Sequence, residues 1–193
     1  KQNFSMDHYK TSCAAARHGH LHILQWCINK VLIYKADWKN DERKHELALC
    51  SGKSGNREII KWVLKEFTNT PLLVEYIARG ATEYGHVEVL LYLDDESLVT
   101  GHVDMSGWSF YKAVKRGHRK VVEWVINKAD SLGLRVGEQT DMSCTFCAMA
   151  AAGGQLDLLK WLREVRNYPW GKDFWYWAAE SDNLDIMEYA YVH

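Results

Sequence analysis

The chain has 193 residues, of which 47% are hydrophobic and 25% are charged, and its formal net charge is −1 at pH 7. This composition is that of a folded globular protein and argues against a disordered one. The near balance of 24 basic and 25 acidic side chains also argues against a general nucleic-acid binder, which usually carries a large positive excess.

One helical pattern recurs six times along the chain. In every copy an anchor residue is followed by apolar residues at the fourth, fifth, seventh and eighth positions, which make the stripe of an amphipathic helix. The anchor is preceded by a shorter helical stretch, which has a small residue four positions before the anchor. The spacing between anchors averages about 33 residues, a length typical of two-helix repeats. In chain order the anchors are Gly19, Gly55, Gly85, Gly117, Gly154 and Asp182.

Each copy therefore predicts two helices joined at the anchor, where glycine adopts a left-handed conformation at little cost. The polar residue after the anchor is placed to hydrogen-bond the free amides of the second helix or the neighbouring turn. These polar residues are His20, Asn56, His86, His118, Gln155 and Asn183. The predicted units, within a single domain of residues 1–193, span 9–30, 45–67, 76–96, 108–130, 145–166 and 173–193.

Three of the copies resemble the core of an ankyrin repeat: EYGHVEVLLYL (83–93), KRGHRKVVEWV (115–125) and AAGGQLDLLKWL (151–162). The stretch NYPWGKDFWYWAAESDNLDIMEYA (167–190) is similar to the Cys-Pro-Trp-rich ankyrin repeats of giant DNA viruses and stramenopiles. Two features depart from the family, since the usual Thr-Pro-Leu-His start is missing and an aromatic residue replaces leucine at the seventh position. The resemblance implies an all-α, ankyrin-like solenoid of about six helix-turn-helix repeats.

The same resemblance implies a non-catalytic module that binds a protein partner on its concave face. In the family, partner contacts come from the two residues before each anchor and from the tips of the turns between repeats. Three tryptophans in the connections between units, Trp38, Trp108 and Trp170, are of interest because an exposed tryptophan is a typical interface anchor. Alternatively, the three cover the ends of the stack. The candidate partner-binding residues are Arg17, His18, Lys53, Glu83, Tyr84, Met105, Trp108, Lys115, Arg116, Met142 and Trp170.

A local basic patch surrounds Lys115 and Arg116 in the fourth unit, with two interpretations. It could meet an acidic partner, or it could pair with acidic residues of the third unit, and we favour the pairing. The further members of the patch are Lys112, Arg119 and Lys120, and the acidic residues of the third unit are Glu83, Glu88 and 94–96.

No catalytic, cofactor or metal site is predicted. The histidines that follow the anchors lie in separate repeats about 8–10 Å apart, whereas metal ligands lie about 2 Å from their ion. Cys144 and Cys147 lack two further zinc ligands at a suitable spacing, so Cys147 is interpreted as a small core residue. Gly153 and Gly154 follow a helix and not a strand, which argues against a phosphate-binding loop.

The chain is rich in tryptophan, and most of it is predicted to lie in the core. Four tryptophans occupy the seventh position after an anchor, on the apolar stripe, and two more lie on the first helix of the last unit. The six are Trp26, Trp62, Trp124, Trp161, Trp175 and Trp177.

Five scattered cysteines, an odd number, favour an intracellular and cytoplasmic protein over a disulfide-rich secreted domain. No membrane-spanning segment is predicted, because no run of about 18 apolar residues occurs. The chain begins at Lys1 and ends at His193 inside a predicted helix, which is compatible with a piece of a longer protein. An alternative function is therefore a structural or targeting subunit of a larger assembly, with any activity outside this chain.

Overall fold

A computed structural model describes residues 7–31, 41–67, 70–96, 98, 107–133 and 143–193. These residues are helical, turn or irregular, and none of them lies in a strand. The prediction of an all-α fold is therefore confirmed. No helix among these residues is long and apolar enough to cross a membrane.

The chain divides into two compact units, Lys1–Val103 and Asp104–His193. The first unit contains α1 (His8–Arg17), α2 (Leu21–Val31), α3 (Asp41–Ser54), α4 (Arg57–Glu66), α5 (Pro71–Tyr84) and α6 (Val87–Asp95). The second unit contains α7 (Trp108–Lys115), α8 (Arg119–Ser131), α9 (Ser143–Ala152), α10 (Leu156–Lys160), α11 (Phe174–Glu180) and α12 (Leu184–Val192). A π-helical turn at Trp161–Val165 directly follows α10.

Successive helices form pairs, numbered 1 to 6 from α1–α2 to α11–α12. Within each pair the first helix packs against the second, and the first helices also pack on one another, α1 on α3 on α5 in the first unit and α7 on α9 on α11 in the second. The pairs match the predicted units, except that α3 and α5 start earlier than the predicted 45 and 76. Asp41 and Glu42 provide an acidic first turn for α3, and Pro71 after the N-cap Thr70 starts α5, both favourable at a helix N-terminus.

All six anchors have the predicted left-handed backbone, with φ between 51° at Asp182 and 83° at Gly85. The turns of pairs 1, 3, 4 and 5 are Schellman motifs. In pair 3, for example, the amide of His86 donates to the carbonyl of Ala81 at 2.9 Å, and the amide of Gly85 donates to the carbonyl of Thr82 at 3.3 Å. Each first helix therefore ends at a left-handed residue, and its last residues occupy equivalent places relative to that residue in every pair.

The core follows the predicted stripe at three of its four positions. The eighth residue after the anchor is buried in all six pairs, the fifth in pairs 1 to 5 and the fourth in pairs 2 to 6. The small residue four positions before the anchor is buried in all six pairs. At Gly80 of α5 an added Cβ would collide with the carbonyl oxygen of Leu49 in α3, so these two helices are at their closest approach.

The prediction that the tryptophans of the seventh position lie in the core is wrong. Trp26 is 50% exposed, and Trp62, Trp124 and Trp161 are only half-buried. At about 100° per residue, the seventh position lies about 110° from the centre of the stripe formed by the fourth, fifth and eighth. It therefore marks the edge of the core. In the last pair, Trp177 is half-buried and Trp175 is exposed, and Phe174 fills the core instead.

Candidate partner-binding surface

The last turns of three successive first helices meet in the first compact unit. They carry Arg17 at the end of α1, Lys53 on α3, and Glu83 and Tyr84 at the end of α5. All four were predicted from the sequence as partner-binding residues. Because α1, α3 and α5 pack side by side and end in equivalent turns, residues at the same distance from their anchors become neighbours. We call these four residues the Tyr84 cluster.

Tyr84 is the centre of the cluster. The guanidinium of Arg17 donates a hydrogen bond from Nη2 to the Tyr84 hydroxyl, and its Cζ lies 5.5 Å from the centroid of the Tyr84 ring. The Lys53 Nζ lies 5.4 Å from the same centroid. Both distances are within the range of cation–π attraction. The hydrogen bond between Arg17 and Tyr84 therefore joins residues that are 67 positions apart in the chain.

Glu83 forms an ion pair with one of the two cations, Lys53. Its Oε2 lies 3.7 Å from Lys53 Nζ, and only 5% of Glu83 is exposed. A buried carboxylate needs such a partner because its desolvation is costly. The cluster thus contains two cations and one carboxylate. Arg17 is exposed whereas the carboxylate is buried, so the charged group of the cluster that faces water is a cation.

The cluster also changes the chemistry of a cysteine that sequence reasoning did not single out. Cys50 lies on α3, one turn before Lys53. The pKa of its thiol is lowered, mainly by a hydrogen bond with the Cys13 side chain and further by the charges of Lys53 and Arg17, against the opposing effect of burial. Its position three residues before Lys53 was visible in the sequence, but its approach to α1 depends on helix packing.

His18 is not part of the cluster. It is exposed, and its ring stacks on that of His20 with 6.4 Å between centroids. His86 contributes to the structure in another way, since its ring Nε2 lies 3.0 Å from the carbonyl oxygen of Lys53 and links the turns of pairs 2 and 3. This is the predicted role of a polar residue after an anchor.

In the second compact unit the candidate residues stay apart. Lys115 and Arg116 are exposed at the C-terminal end of α7, whereas Trp108 is 72% exposed at its N-terminal end, about 10 Å away along the axis. Trp170 is half-buried, with its ring centroid 4.6 Å from that of Phe174. Met105, Met142 and Trp38 lie outside the described residues.

The two interpretations of the basic patch remain open. Arg119 of the patch pairs with Glu123 of its own helix, with Nε 2.7 Å from Oε1. Glu83, one of the acidic residues considered for the patch, pairs with Lys53 of the first unit. The prediction that the patch pairs with the third unit therefore stays a prediction.

Within the described parts of the chain, no group of three or more His, Cys, Asp and Glu side chains could hold a metal ion. Cys147 is fully buried, as predicted, and its Sγ lies 3.7 Å from the carbonyl oxygen of Tyr168. The side chain of Cys144 lies outside the described residues.

In comparisons with protein-family models, with curated proteins and with solved structures, nothing matches this chain. The ankyrin resemblance of the sequence therefore stays a prediction.

Proposed function

We propose that this protein is a non-catalytic, ankyrin-like repeat module that binds a protein partner, and that the Tyr84 cluster is part of its binding surface. The observation that carries the proposal is the convergence of Arg17, Lys53 and Tyr84 from three successive helix pairs. Arginine and tyrosine are the residue types that most often dominate binding energy at protein interfaces.

The packing beneath the cluster supports this proposal. No side chain separates α3 from α5 where Gly52 and Gly80 face the opposite backbone, so the two helices hold their last turns at a fixed spacing. A surface that is already rigid loses little conformational entropy when a partner binds. The cluster is therefore suited to recognition without rearrangement.

The charge of the cluster indicates what its partner presents. The guanidinium of Arg17 has five N–H donors in a planar fork, and Tyr84 accepts from one of its nitrogens. The fork retains the capacity to bind a carboxylate through two parallel hydrogen bonds. An aspartate or glutamate of the partner, placed above Tyr84, would also meet the positive potential of Lys53.

The test compares two double variants of equal charge. Arg17→Gln with Lys53→Gln removes both cations from the cluster, and Lys61→Gln with Lys65→Gln removes two exposed cations from α4. Proteins captured by the wild-type chain are identified, purified and titrated against each variant by calorimetry. We expect the first variant to weaken binding at least about 10-fold, which corresponds to about 1.4 kcal/mol, and the control to bind like the wild type. Equal affinities for all three chains would reject the proposal.

A second candidate function, a structural subunit of a larger assembly, is favoured by the exposed face of the last helix pair. Trp175 is 48% exposed and Tyr176 is 68% exposed on α11. The equivalent positions of α7 and α9, seven and six residues before the anchor, are buried in the same compact unit. They are Phe110 and Tyr111 in α7 and Cys147 and Ala148 in α9.

Sedimentation of the isolated chain tests this second candidate. An assembly surface on α11 predicts self-association or a stable complex that the double variant Trp175→Ser with Tyr176→Ser abolishes. If the chain sediments as a monomer and the same variant leaves the affinity for a partner unchanged, the second candidate is rejected in favour of the binding module.

A further inference from the structure

The first helix pair exposes a face that every later pair covers. This face comprises Ala14, five positions before the anchor, and Ile23 and Trp26, four and seven positions after it. Ile23 is 38% exposed, whereas the equivalent residue is at most 2% exposed in pairs 2 to 6. The residues equivalent to Ala14 and Trp26 are also buried or half-buried in those pairs. We call these three residues of pair 1 the front face.

Contacts inside each compact unit show that these positions lie against the preceding pair. Gly80, five positions before its anchor, faces α3 of the pair before it. The seventh residue after an anchor lies against the second residue after the preceding anchor. In the first unit, Arg57 Cζ of pair 2 lies 4.3 Å from the ring centroid of Tyr92 of pair 3. In the second unit, Arg119 Cζ of pair 4 lies 5.7 Å from the ring centroid of Trp161 of pair 5.

The last pair exposes a different face, the one that earlier pairs turn towards the pair that follows. It comprises Trp175 and Tyr176, seven and six positions before the anchor, and Leu184, two positions after it, with exposed fractions of 48%, 68% and 68%. The residue seven positions before the anchor is buried in pairs 1 to 5. The apolar residue two positions after the anchor is half-buried in pairs 1, 3 and 5. We call these three residues of pair 6 the rear face.

We propose that the rear face of one copy of this chain packs on the front face of a second copy, as successive pairs pack within one chain. The inference rests on the second candidate function, the assembly subunit, and names a second copy as the partner. In the register of the internal pairs, Leu184 would lie against Trp26 of the second copy. The small side chain of Ala14 leaves room for the rings of Trp175 and Tyr176.

The charges of the two pairs are complementary. Residues 7–31 carry three basic side chains and one acidic side chain, whereas residues 171–193 carry one basic and five acidic side chains. All of them are exposed. Opposite charges steer two surfaces together, and like charges oppose their approach. The charges therefore favour a rear face on a front face over two rear faces on each other. The charged residues are Asp7, Lys10, Arg17 and Lys30 in pair 1, and Lys172, Asp173, Glu180, Asp182, Asp185 and Glu188 in and directly before pair 6.

Sedimentation velocity of the full chain tests the proposal with two variants, each of which blocks one face. Trp26→Ser blocks the front face, and Trp175→Ser with Tyr176→Ser blocks the rear face. We expect the wild-type sedimentation coefficient to rise with protein concentration, because packing of unlike faces leaves one face of each kind free for further copies. Each variant alone should stay monomeric. An equimolar mixture of the two should form a dimer and nothing larger, since it retains one rear face and one front face for every two molecules.

Two controls separate blocked association from damage to the fold. Leu132, which is 52% exposed after α8, belongs to neither face, so Leu132→Ser should associate like the wild type. Circular dichroism and the urea midpoint show whether each variant is folded, and Ile23→Lys blocks the front face independently of Trp26.

Three results would overturn the proposal. They are a wild-type chain that is monomeric at every concentration, association that persists when only the front face is blocked, and a mixture of the two variants that stays monomeric. The second of these results would indicate that two rear faces pack on each other. If the isolated wild-type chain is monomeric but the rear-face variant loses a complex with another protein, the second candidate function stands and a second copy is excluded as the partner.

Discussion

At the scale of single residues, an asparagine after an anchor makes two kinds of hydrogen bond at once. The Oδ1 of Asn56 accepts from the amides of Glu58 at 3.0 Å and Ile59 at 3.3 Å, and therefore caps α4. Its Nδ2 donates to the carbonyl oxygen of Gly19 at 3.4 Å, in the turn of the preceding pair. Asn183 repeats both contacts at the start of α12, where its Nδ2 reaches Gly154 at 3.5 Å.

Substitutions at Asn56 separate the cap from the link between turns. Asn56→Ala removes both contacts and should lower the free energy of unfolding by about 1–2 kcal/mol, the usual cost of losing an N-cap. Asn56→Asp keeps the cap acceptor and loses only the donor to Gly19, so it should cost less. Urea unfolding measures both, and an aspartate variant as unstable as the alanine variant would contradict the assigned cap.

Gly80 provides a residue-scale prediction with an unusual sign. In a helix interior, exchanging glycine for alanine normally stabilises a protein by about 0.5–1 kcal/mol. At Gly80 the new methyl group would collide with the backbone of α3, and overpacking of this kind costs about 1–3 kcal/mol. We therefore expect Gly80→Ala to lower the urea midpoint. An increase would show that α3 and α5 are further apart than described.

At the scale of elements, the last helix pair differs from those before it in what covers its first helix. In the second unit, the ring of Phe146 on α9 covers Phe110 on α7, with 5.2 Å between centroids. On α11 only Phe174 and Ala178 are buried, and Trp175 beside them is half-exposed. The apolar character of a helix therefore does not reveal which of its faces is covered.

The burial of Phe174 and the exposure of Trp175 predict that substitution costs much stability at the first residue and little at the second. Phe174→Ala should destabilise the protein by about 3–5 kcal/mol, as is usual for a fully buried phenylalanine. Trp175→Ser should change the unfolding free energy by about 0.5 kcal/mol or less, as at other exposed positions. Thermal or urea unfolding of the two variants measures both changes. A larger loss of stability in Trp175→Ser would mean that Trp175, and not Phe174, faces the core.

Tyr168, which follows the π-helical turn, is expected to make the stability of the protein depend on pH. Burial raises the pKa of Tyr168 to about 12 from the usual 10.0, with Asp130 adding to the increase and Arg166 opposing it. The folded protein therefore keeps this proton where the unfolded chain loses it, so stability is full below pH 10 and falls as the pH rises towards 12. In Tyr168→Phe this part of the alkaline loss should disappear, as measured by urea unfolding between pH 8 and about 11.5. An unchanged pH dependence would contradict the burial of this hydroxyl.

At the scale of the whole molecule, the sequence pattern predicts the local structure and only part of the packing. The helix pairs, the left-handed anchors and the buried small residues follow from spacing and from the conformational preferences of glycine, which depend on nearby residues alone. The half-exposure of Trp26 did not follow, because neighbouring helices decide how far the apolar stripe is covered. The convergence of Arg17 with Tyr84 depends on the stacking of three pairs, and no local signal encodes a contact over 67 residues.

The account depends above all on that stacking, which brings α1 and α5 to the same surface. A double-mutant cycle tests it directly, with Arg17→Gln, Tyr84→Leu and the combined variant compared by urea unfolding. We predict a coupling free energy of about 0.5–1 kcal/mol, as for an exposed cation–π pair. Effects that simply add, within about 0.3 kcal/mol, would mean that the two side chains do not meet, and would contradict the binding surface proposed for this protein.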